Sequence, residues 1–139
     1  MKELENLLAK CGFVKRASAK NDFQAVEALI GFQLPSDYKY YLENYEQFQK
    51  FIGEQYIALY RTDELVVLNE RYEIKDYISN TLTIGSNGAG EFIGIKLVGQ
   101  DNYQIIIAPF IGGIDDQIEI GSSFTDMLKR LNEGILWFK

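Results

Sequence analysis

A glycine-rich stretch, IGSNGAGEFIGIKL at residues 84–97, is where the residue types of this 139-residue chain first suggest chemistry. Glycine clusters hold phosphates when their backbone N–H groups lead into a helix. Here Gly85, Gly88 and Gly90 are ordered G-x-x-G-x-G, without the Lys-Ser or Lys-Thr of a phosphate-binding loop. The residues that follow continue with the two-residue period of a strand. We therefore predict a strand, a two-residue turn at Asn87-Gly88 and a second strand, and not a phosphate site.

The chain has no histidine and one cysteine, which removes most nucleophilic and metal chemistry. Without imidazole there is no Ser-His-Asp or Cys-His catalysis and no zinc site with imidazole ligands. Cys11 cannot form an internal disulfide, a four-cysteine zinc site or a CxxC redox pair. Its helical spacing with Leu4, Leu7 and Leu8 favours a small core residue instead.

Carboxylates are the remaining candidates for catalysis or metal binding, at Glu91, Asp115, Asp116 and Glu119. A calcium loop would need the D-x-[DN]-x-[DN]-G pattern, which this stretch lacks. Adjacent carboxylates on a strand also point to opposite faces, which hinders joint acid–base work. The sequence therefore predicts no catalytic residue, no cofactor and no metal site. An enzyme or divalent-metal binder stays an alternative that a specific thermal shift would support.

Hydrophobic periodicity and turn residues indicate the elements that must position these side chains. Gly12 and Gly31 end the first two helices, Pro35 starts the third, and Ser123 with Asp126 caps the last. Helices are predicted at about residues 4–11, 22–30, 35–48, 62–72 and 123–131, and strands at 55–60, 82–84, 91–98, 103–109 and 117–120.

Two of these segments admit a second interpretation. LVVL at residues 65–68 would suit a buried strand, but Thr62 as N-cap and the spacing of Leu65, Leu68 and Tyr72 favour a helix. The tyrosine-rich stripe of the third helix is either core or a binding surface, and we expect core. The apolar tail ILWFK (135–139) is expected to dock onto the body of the protein.

Composition and connection lengths predict a single α+β domain over residues 1–139, with a mainly antiparallel sheet packed by helices. Hydrophobic residues make up 47% of the chain and charged residues 24%, which is typical of globular proteins. Short connections between the strands imply antiparallel pairing. We find no repeat, linker or low-complexity segment.

Charge and apolar runs bear on location and partners. The N-terminal residues lack the apolar run of a signal peptide, and no stretch approaches the ~20 apolar residues of a membrane span, so we expect a cytoplasmic protein. Twenty acidic and 14 basic residues give a net charge of −6. Direct nucleic-acid binding would need a basic footprint, which is missing. The acidic balance fits a basic protein partner, and solubility explains it equally well.

Three segments carry recognisable motifs. Leu34-Pro35-Ser36-Asp37-Tyr38 starts the predicted third helix, with Glu27 as an upstream acid; residues 84–91, IGSNGAGE, form the predicted turn; and residues 122–128, SSFTDML, start the closing helix. All three resemble motifs of the SUKH superfamily, a domain of yeast cell-wall-assembly regulators and many bacterial proteins, with Asn87 in place of the usual acid of the turn. The motif positions expected to define the fold are Leu34, Pro35, Asp37, Tyr38, Gly85, Gly88, Gly90, Glu91, Ser123 and Phe124.

This resemblance implies a SUKH-like α+β fold and a non-catalytic protein-binding module. Bacterial members are mostly cytoplasmic immunity proteins that neutralise polymorphic toxins, many of them nucleases. We therefore expect an immunity protein that occludes a cognate toxin, and the alternative is a regulatory scaffold related to cell-wall synthesis regulators. The candidate partner-binding positions are Tyr60, Asp63, Glu64, Tyr103, Asp115, Asp116 and Glu119. Oligomeric state and the identity of the partner do not follow from the sequence.

Overall fold

The computed structural model describes residues 1–17, 22–111 and 116–138. The helices in these ranges are α1 (Lys2–Lys10), α2 (Gln24–Ile30), α3 (Ser36–Asn44), α4 (Thr62–Arg71), α5 (Ile74–Tyr77) and α6 (Phe124–Asn132). The strands are β1 (Gln49–Ile52), β2 (Gln55–Leu59), β3 (Thr81–Ser86), β4 (Glu91–Gly99), β5 (Asn102–Pro109) and β6 (Ile118–Gly121). No described helix combines the length and apolarity that are needed to cross a membrane.

The described strands form one sheet in the order β1-β2-β3-β4-β5-β6. Each strand pairs with the next one along the chain, and every neighbouring pair is antiparallel. The predicted α+β class, with a mainly antiparallel sheet packed by helices, is confirmed. The strand predictions at 55–60 and beyond residue 81 are confirmed as β2 to β6, within two residues at most ends.

Both faces of the central strands are buried. Ile105 and Ile107 of β5 contact the main core, which α1, α3 and α6 cover. Ile106 and Ala108 point to the other face and pack with Ile74 of α5 in a second, smaller cluster. The run YQIIIAP is therefore a strand buried on both faces, and its three consecutive isoleucines reflect this burial.

The tyrosine stripe of α3 is core, as predicted. Tyr38 and Tyr41 are fully buried, and Tyr45 and Phe48, which follow the end of the helix, are buried with them. Burial raises the pKa of Tyr41. Cys11 is half-buried against the same core, and burial likewise raises the pKa of its thiol.

Some predicted boundaries were wrong, and two elements were not predicted. Helix α2 begins at Gln24 and not at Asp22, and α3 ends at Asn44 before the aromatic stripe does. Strand β1 is mostly polar and exposed, so its sequence QKFI shows no apolar alternation. Helix α5 is one turn long, too short for helical periodicity to be visible.

The turn between β3 and β4 is longer than the two-residue turn that we predicted. Ser86 pairs with Phe92, and residues 87–90 form the loop between the strands. The Asn87 Oδ1 atom accepts hydrogen bonds from the backbone N–H groups of Ala89 (3.0 Å) and Glu91 (3.3 Å). This side chain organises a wider loop, because an Asn can mimic a backbone turn. Strand, turn and strand are confirmed; the two-residue turn type was wrong.

A carboxylate joins the start of α3 to the start of α6. Asp37 Oδ2 accepts hydrogen bonds from the backbone N–H (2.9 Å) and the hydroxyl (2.8 Å) of Thr125, 88 residues further along the chain. Beside this contact, the rings of Tyr38 and Phe124 meet edge-on with centroids 5.5 Å apart. Ser123 Oγ accepts from the N–H of Asp126 (2.9 Å), which confirms the predicted cap of α6. The first and third motif segments therefore contact one another.

We expect the Asp37→Ala substitution to lower the free energy of unfolding by about 2–4 kcal/mol, because it removes two hydrogen bonds to a charged group. The measurement is urea unfolding followed by circular dichroism. Asp63→Ala, which removes an exposed carboxylate, is the control and should change stability by less than about 1 kcal/mol. Equal stability of Asp37→Ala and the wild type would contradict a structural role for this contact.

Candidate functional site

A cleft with an acidic rim lies where α2, α4, α5 and the start of β3 meet, and we call it the acidic cleft. Its volume is about 240 Å³. Half-buried Leu29 and Ile30 of α2 give it an apolar wall, and the carboxylates of Glu70, Glu73 and Asp76 are exposed. The described residues that line it are Leu29, Ile30, Asn69, Glu70, Glu73, Lys75, Asp76 and Thr81.

The chain turn between α4 and α5 places the three carboxylates around the same cleft. Glu73 has φ 52° and ψ 42°, a left-handed conformation that is uncommon for a residue with a side chain. Glu73 lies between α4 and α5 and is the residue that precedes α5. Its carbonyl accepts hydrogen bonds from the N–H groups of Asp76 and Tyr77 (both 3.1 Å). Glu70 in the last turn of α4 and Asp76 in α5 therefore flank the same cleft.

A buried asparagine fixes α4 against the sheet. Asn69 is 5% exposed, and its Nδ2 donates to the carbonyls of Leu65 (2.7 Å) and Thr83 (3.0 Å). Its Oδ1 accepts from the N–H of Thr83 (2.8 Å). The amide thus pairs with both backbone groups of Thr83, as a neighbouring strand would. Strand β2 reaches only as far as the pair Leu59–Gly85, so Asn69 continues the pairing of β3 where β2 has ended.

The electrostatics of the acidic cleft favour a cation. Its lining has three carboxylates and one ammonium, that of Lys75, and no ion pair joins these groups to each other or to another described residue. No group of three carboxylate or thiolate side chains in the described chain is close enough to share a metal ion. An apolar wall beside separated carboxylates instead matches a lysine or arginine side chain, whose stem is apolar and whose end is charged.

The acidic positions chosen from the sequence near α4 already have local partners. Asp63 Oδ1 lies 3.1 Å from Arg61 Nε. Glu64 Oε1 accepts a hydrogen bond from the N–H of Arg61 (2.9 Å) and so caps α4, which makes Arg61, and not Thr62, the residue before the helix. Both carboxylates therefore stabilise the start of this helix.

The two tyrosines that we chose as anchors are partly buried. Tyr60 packs against the main core at the end of β2, and burial raises its pKa. Tyr103 donates a hydrogen bond from its hydroxyl to the carbonyl of Gln33 (2.6 Å), and its ring packs on Phe32 with centroids 6.3 Å apart. These contacts hold the rings against the body, so only part of each ring is available to a partner.

Two of the remaining chosen positions, Asp116 and Glu119, lie at the other end of the sheet. Glu119 on β6 pairs with Arg130 of α6 at 2.9 Å, and Asp116, which precedes β6, is exposed. Asp115 lies outside the described residues. Strands β3, β4 and β5 separate β2 from β6 in the sheet order, so the structure does not bring Asp116 or Glu119 to the acidic residues at the start of α4. Partner binding by these residues stays a prediction.

Sequence reasoning did not single out Glu70, Glu73 or Asp76. On a helical pattern they look like the ordinary solvated face of α4 and its continuation. A usable signal was the position of Asn69, a polar residue one helical turn after Leu65, on the apolar stripe of α4. A polar residue on a buried stripe needs partners, and here they are backbone groups of β3.

Glu27, the acidic residue upstream of the first motif, also makes contacts within the fold. Glu27 Oε2 accepts a hydrogen bond from the N–H of Leu34 (2.7 Å) and lies 2.9 Å from Lys39 Nζ. Burial acts to raise the pKa of Glu27, but the hydrogen bonds from Lys39 and Leu34 and the charge of Lys39 outweigh it and lower this pKa. The carboxylate thereby closes the connection between α2 and α3.

Comparison with protein families agrees with this arrangement. The model of the SMI1 / KNR4 family (SUKH-1) matches residues 18–130, which is most of the chain. The chain belongs to the SUKH-1 family. No curated protein matches it significantly.

The residues that carry the SUKH-1 resemblance form the framework. Leu34 is buried, Asp37 and Tyr38 contact α6, and Phe124 is fully buried. In the middle motif, a Cβ on Gly85 would collide with the carbonyl oxygen of Ala58 on β2, so only glycine permits this strand spacing. At these positions the SUKH-1 motif residues make contacts within the fold, and a shared scaffold of this kind can carry different sites in different members.

We expect the Asn69→Leu substitution to destabilise this SUKH-1 chain, because it leaves the buried N–H and C=O of Thr83 unpaired at about 1–3 kcal/mol for each group. Chemical denaturation gives the free energy, and amide exchange at Thr83 reports the lost pairing. Val67→Leu, at a position 51% exposed on α4, is the control and should behave as wild type. An Asn69→Leu protein as stable as the wild type would mean that packing alone holds α4.

Proposed function

We propose that this SUKH-1 chain is a non-catalytic protein-binding module that acts in the cytoplasm as an immunity protein. It binds a cognate polymorphic toxin and covers the surface with which the toxin contacts its substrate. Membership in the family supports a protein-interaction domain. The lack of histidine supports binding over catalysis, because general bases and activated nucleophiles most often depend on imidazole.

The observation that carries the proposal is the acidic cleft, where three unpaired carboxylates lie beside an apolar wall on a chain of net charge −6. A nuclease toxin must present cations to phosphate, so its substrate-binding surface is basic. An acidic inhibitor can occupy that surface and exclude the nucleic acid. Complementary charge also speeds the encounter, towards about 10⁸–10⁹ M⁻¹s⁻¹ at low salt.

The contact is expected to be specific because the cleft combines two kinds of surface. One lysine or arginine of the toxin would lay its stem along Leu29 and Ile30 and place its charge among Glu70, Glu73 and Asp76. Desolvated charge pairs at an interface affect mainly dissociation, and charges at the rim affect mainly association. The exposed carboxylates of the cleft therefore serve first in association.

The test is a toxicity-rescue assay with the protein encoded by the neighbouring gene, combined with stopped-flow association at low salt. The triple variant Glu70→Gln, Glu73→Gln, Asp76→Asn changes the net charge from −6 to −3, since three carboxylates are neutralised. We expect its association rate constant to fall about tenfold or more and rescue to be lost.

The matched control is Asp63→Asn, Asp115→Asn, Asp116→Asn, which makes the same change in net charge at positions chosen from the sequence. It should keep rescue and slow association less than the cleft variant does. If the control abolishes rescue and the cleft variant does not, the contact lies at the sequence-chosen acids. If the chain binds a neighbouring gene product that is not toxic, it is the regulatory scaffold of the alternative hypothesis.

A further inference from the structure

The end of the chain exposes apolar side chains beside an edge of the sheet. Ile135, Leu136 and Phe138, which follow α6, are 51%, 44% and 45% exposed, and Ile118 on β6 is 39% exposed. Residues of β6 and of this tail line one small cavity of about 60 Å³, so the tail lies next to the strand. We call β6 together with residues 135–138 the C-terminal edge. Among the described tail residues, only Trp137 docks onto the body as predicted, and it is 7% exposed.

A hydrogen-bond donor at the C-terminal edge has no partner. Trp137 lines the small cavity, and its Nε1 is buried without a hydrogen-bond acceptor among the described residues. Buried indole N–H groups normally find an acceptor, and leaving one unpaired costs about 1–3 kcal/mol. An acceptor oxygen placed in the small cavity would therefore satisfy this donor.

The backbone of β6 is also available for pairing. It is the last strand in the sheet order and pairs with β5 alone among the described strands. No other described segment makes backbone hydrogen bonds to its outer side. An edge strand presents a row of unpaired N–H and C=O groups that can accept another strand. Edges are often protected by charged side chains, but Ile118 offers an apolar one instead.

An ion group holds β6 in place. Arg130 of α6 lies 2.9 Å from Glu119 of β6 and 3.0 Å from Asp126. The carboxylate of Glu119 is thereby engaged with α6. The strand is thus tied to α6 while its apolar neighbour Ile118 remains exposed.

We propose that the C-terminal edge binds an extended segment of a partner protein, which adds to β6 as a further strand. A backbone carbonyl of this segment accepts the hydrogen bond from Trp137 Nε1, and an apolar side chain of the segment packs on Ile118 and Leu136. Strand addition suits these features because main-chain pairing provides affinity and alternate side chains provide specificity. This surface is separate from the acidic cleft and serves whether or not the partner is a toxin.

Trp137 is the only tryptophan of the chain, which makes the site directly observable. The full chain is used to select from a random heptapeptide phage library, with the double variant Ile118→Lys, Leu136→Lys for counter-selection. We expect enriched peptides in which apolar residues alternate. Their synthetic versions should shift the single indole N–H resonance and slow amide exchange in Ile118–Gly121. Each lysine substitution alone should weaken binding about tenfold or more, because it removes apolar contact.

Phe51→Lys is the control, because Phe51 is 64% exposed on β1 at the opposite edge of the sheet. It should bind the selected peptides as the wild type does. All variants are first checked by their amide spectra and urea unfolding, since substitutions at exposed positions should leave the fold intact. Trp137→Phe, which keeps an aromatic ring and removes the donor, should weaken binding a few-fold.

Three results would overturn the proposal. The first is that no peptide is enriched over the counter-selection, as expected if an ordered water in the cavity satisfies Trp137 permanently. The second is that selected peptides bind the lysine variants as tightly as the wild type. The third is that the indole resonance shifts with protein concentration and the chain sediments as a dimer, because a second copy then occupies the edge. In each case, lysine variants that still rescue cells from the toxin would show that the proposed immunity function does not depend on the C-terminal edge.

Discussion

The hydrogen bonds between Asn69 and Thr83 are the constraint on which the acidic cleft depends. Strand β2 ends at Leu59, and the chain leaves the sheet to form α4, so the inner part of β3 would have unpaired backbone groups. The side-chain amide of Asn69 provides one acceptor and one donor at this place. Because a buried unpaired N–H or C=O is costly, this contact fixes both the position and the rotation of α4. Glu70, the next residue, is thereby directed towards the cleft.

The same region also explains why the central strands can be buried on both faces. After α4, the left-handed turn at Glu73 starts the single turn of α5, and Ile74 and Ile78 then cover Phe92, Ile106 and Ala108. One connection therefore closes the second face of the sheet and completes the cleft wall. The SUKH-1 motifs lie elsewhere, at the junction of α3 with α6 and at the β3–β4 turn, where they hold the framework.

Local sequence signals predicted much of this fold. Gly31 adopts φ 80° at the end of α2, and Ser123 caps α6, because these residue types satisfy the ends of helices on their own. Elements that depend on tertiary contacts were missed. Helix α5 is too short to show a period, and β1 carries polar residues because its outer positions face solvent. The three isoleucines at 105–107 were the sign that a further element covers the sheet.

The site was less predictable than the fold, for a physical reason. Carboxylates on exposed helical positions look alike in a sequence, and only the chain path distinguishes Glu70 and Asp76 from solvated neighbours. Asp63 and Glu64 were also chosen as candidate acids, yet they cap and pair locally around Arg61. A partner-binding surface on a shared scaffold therefore has to be found from geometry.

The central claim is that this SUKH-1 chain acts by covering another protein with its acidic cleft. Hydrogen exchange of the complex with the neighbouring gene product tests it most directly, because single-turn α5 should exchange quickly in the free chain. The account predicts slower exchange on binding in residues 69–78 and unchanged exchange in β1. Unchanged exchange at residues 69–78 in a stable complex, or turnover of a substrate by the isolated chain, would contradict it.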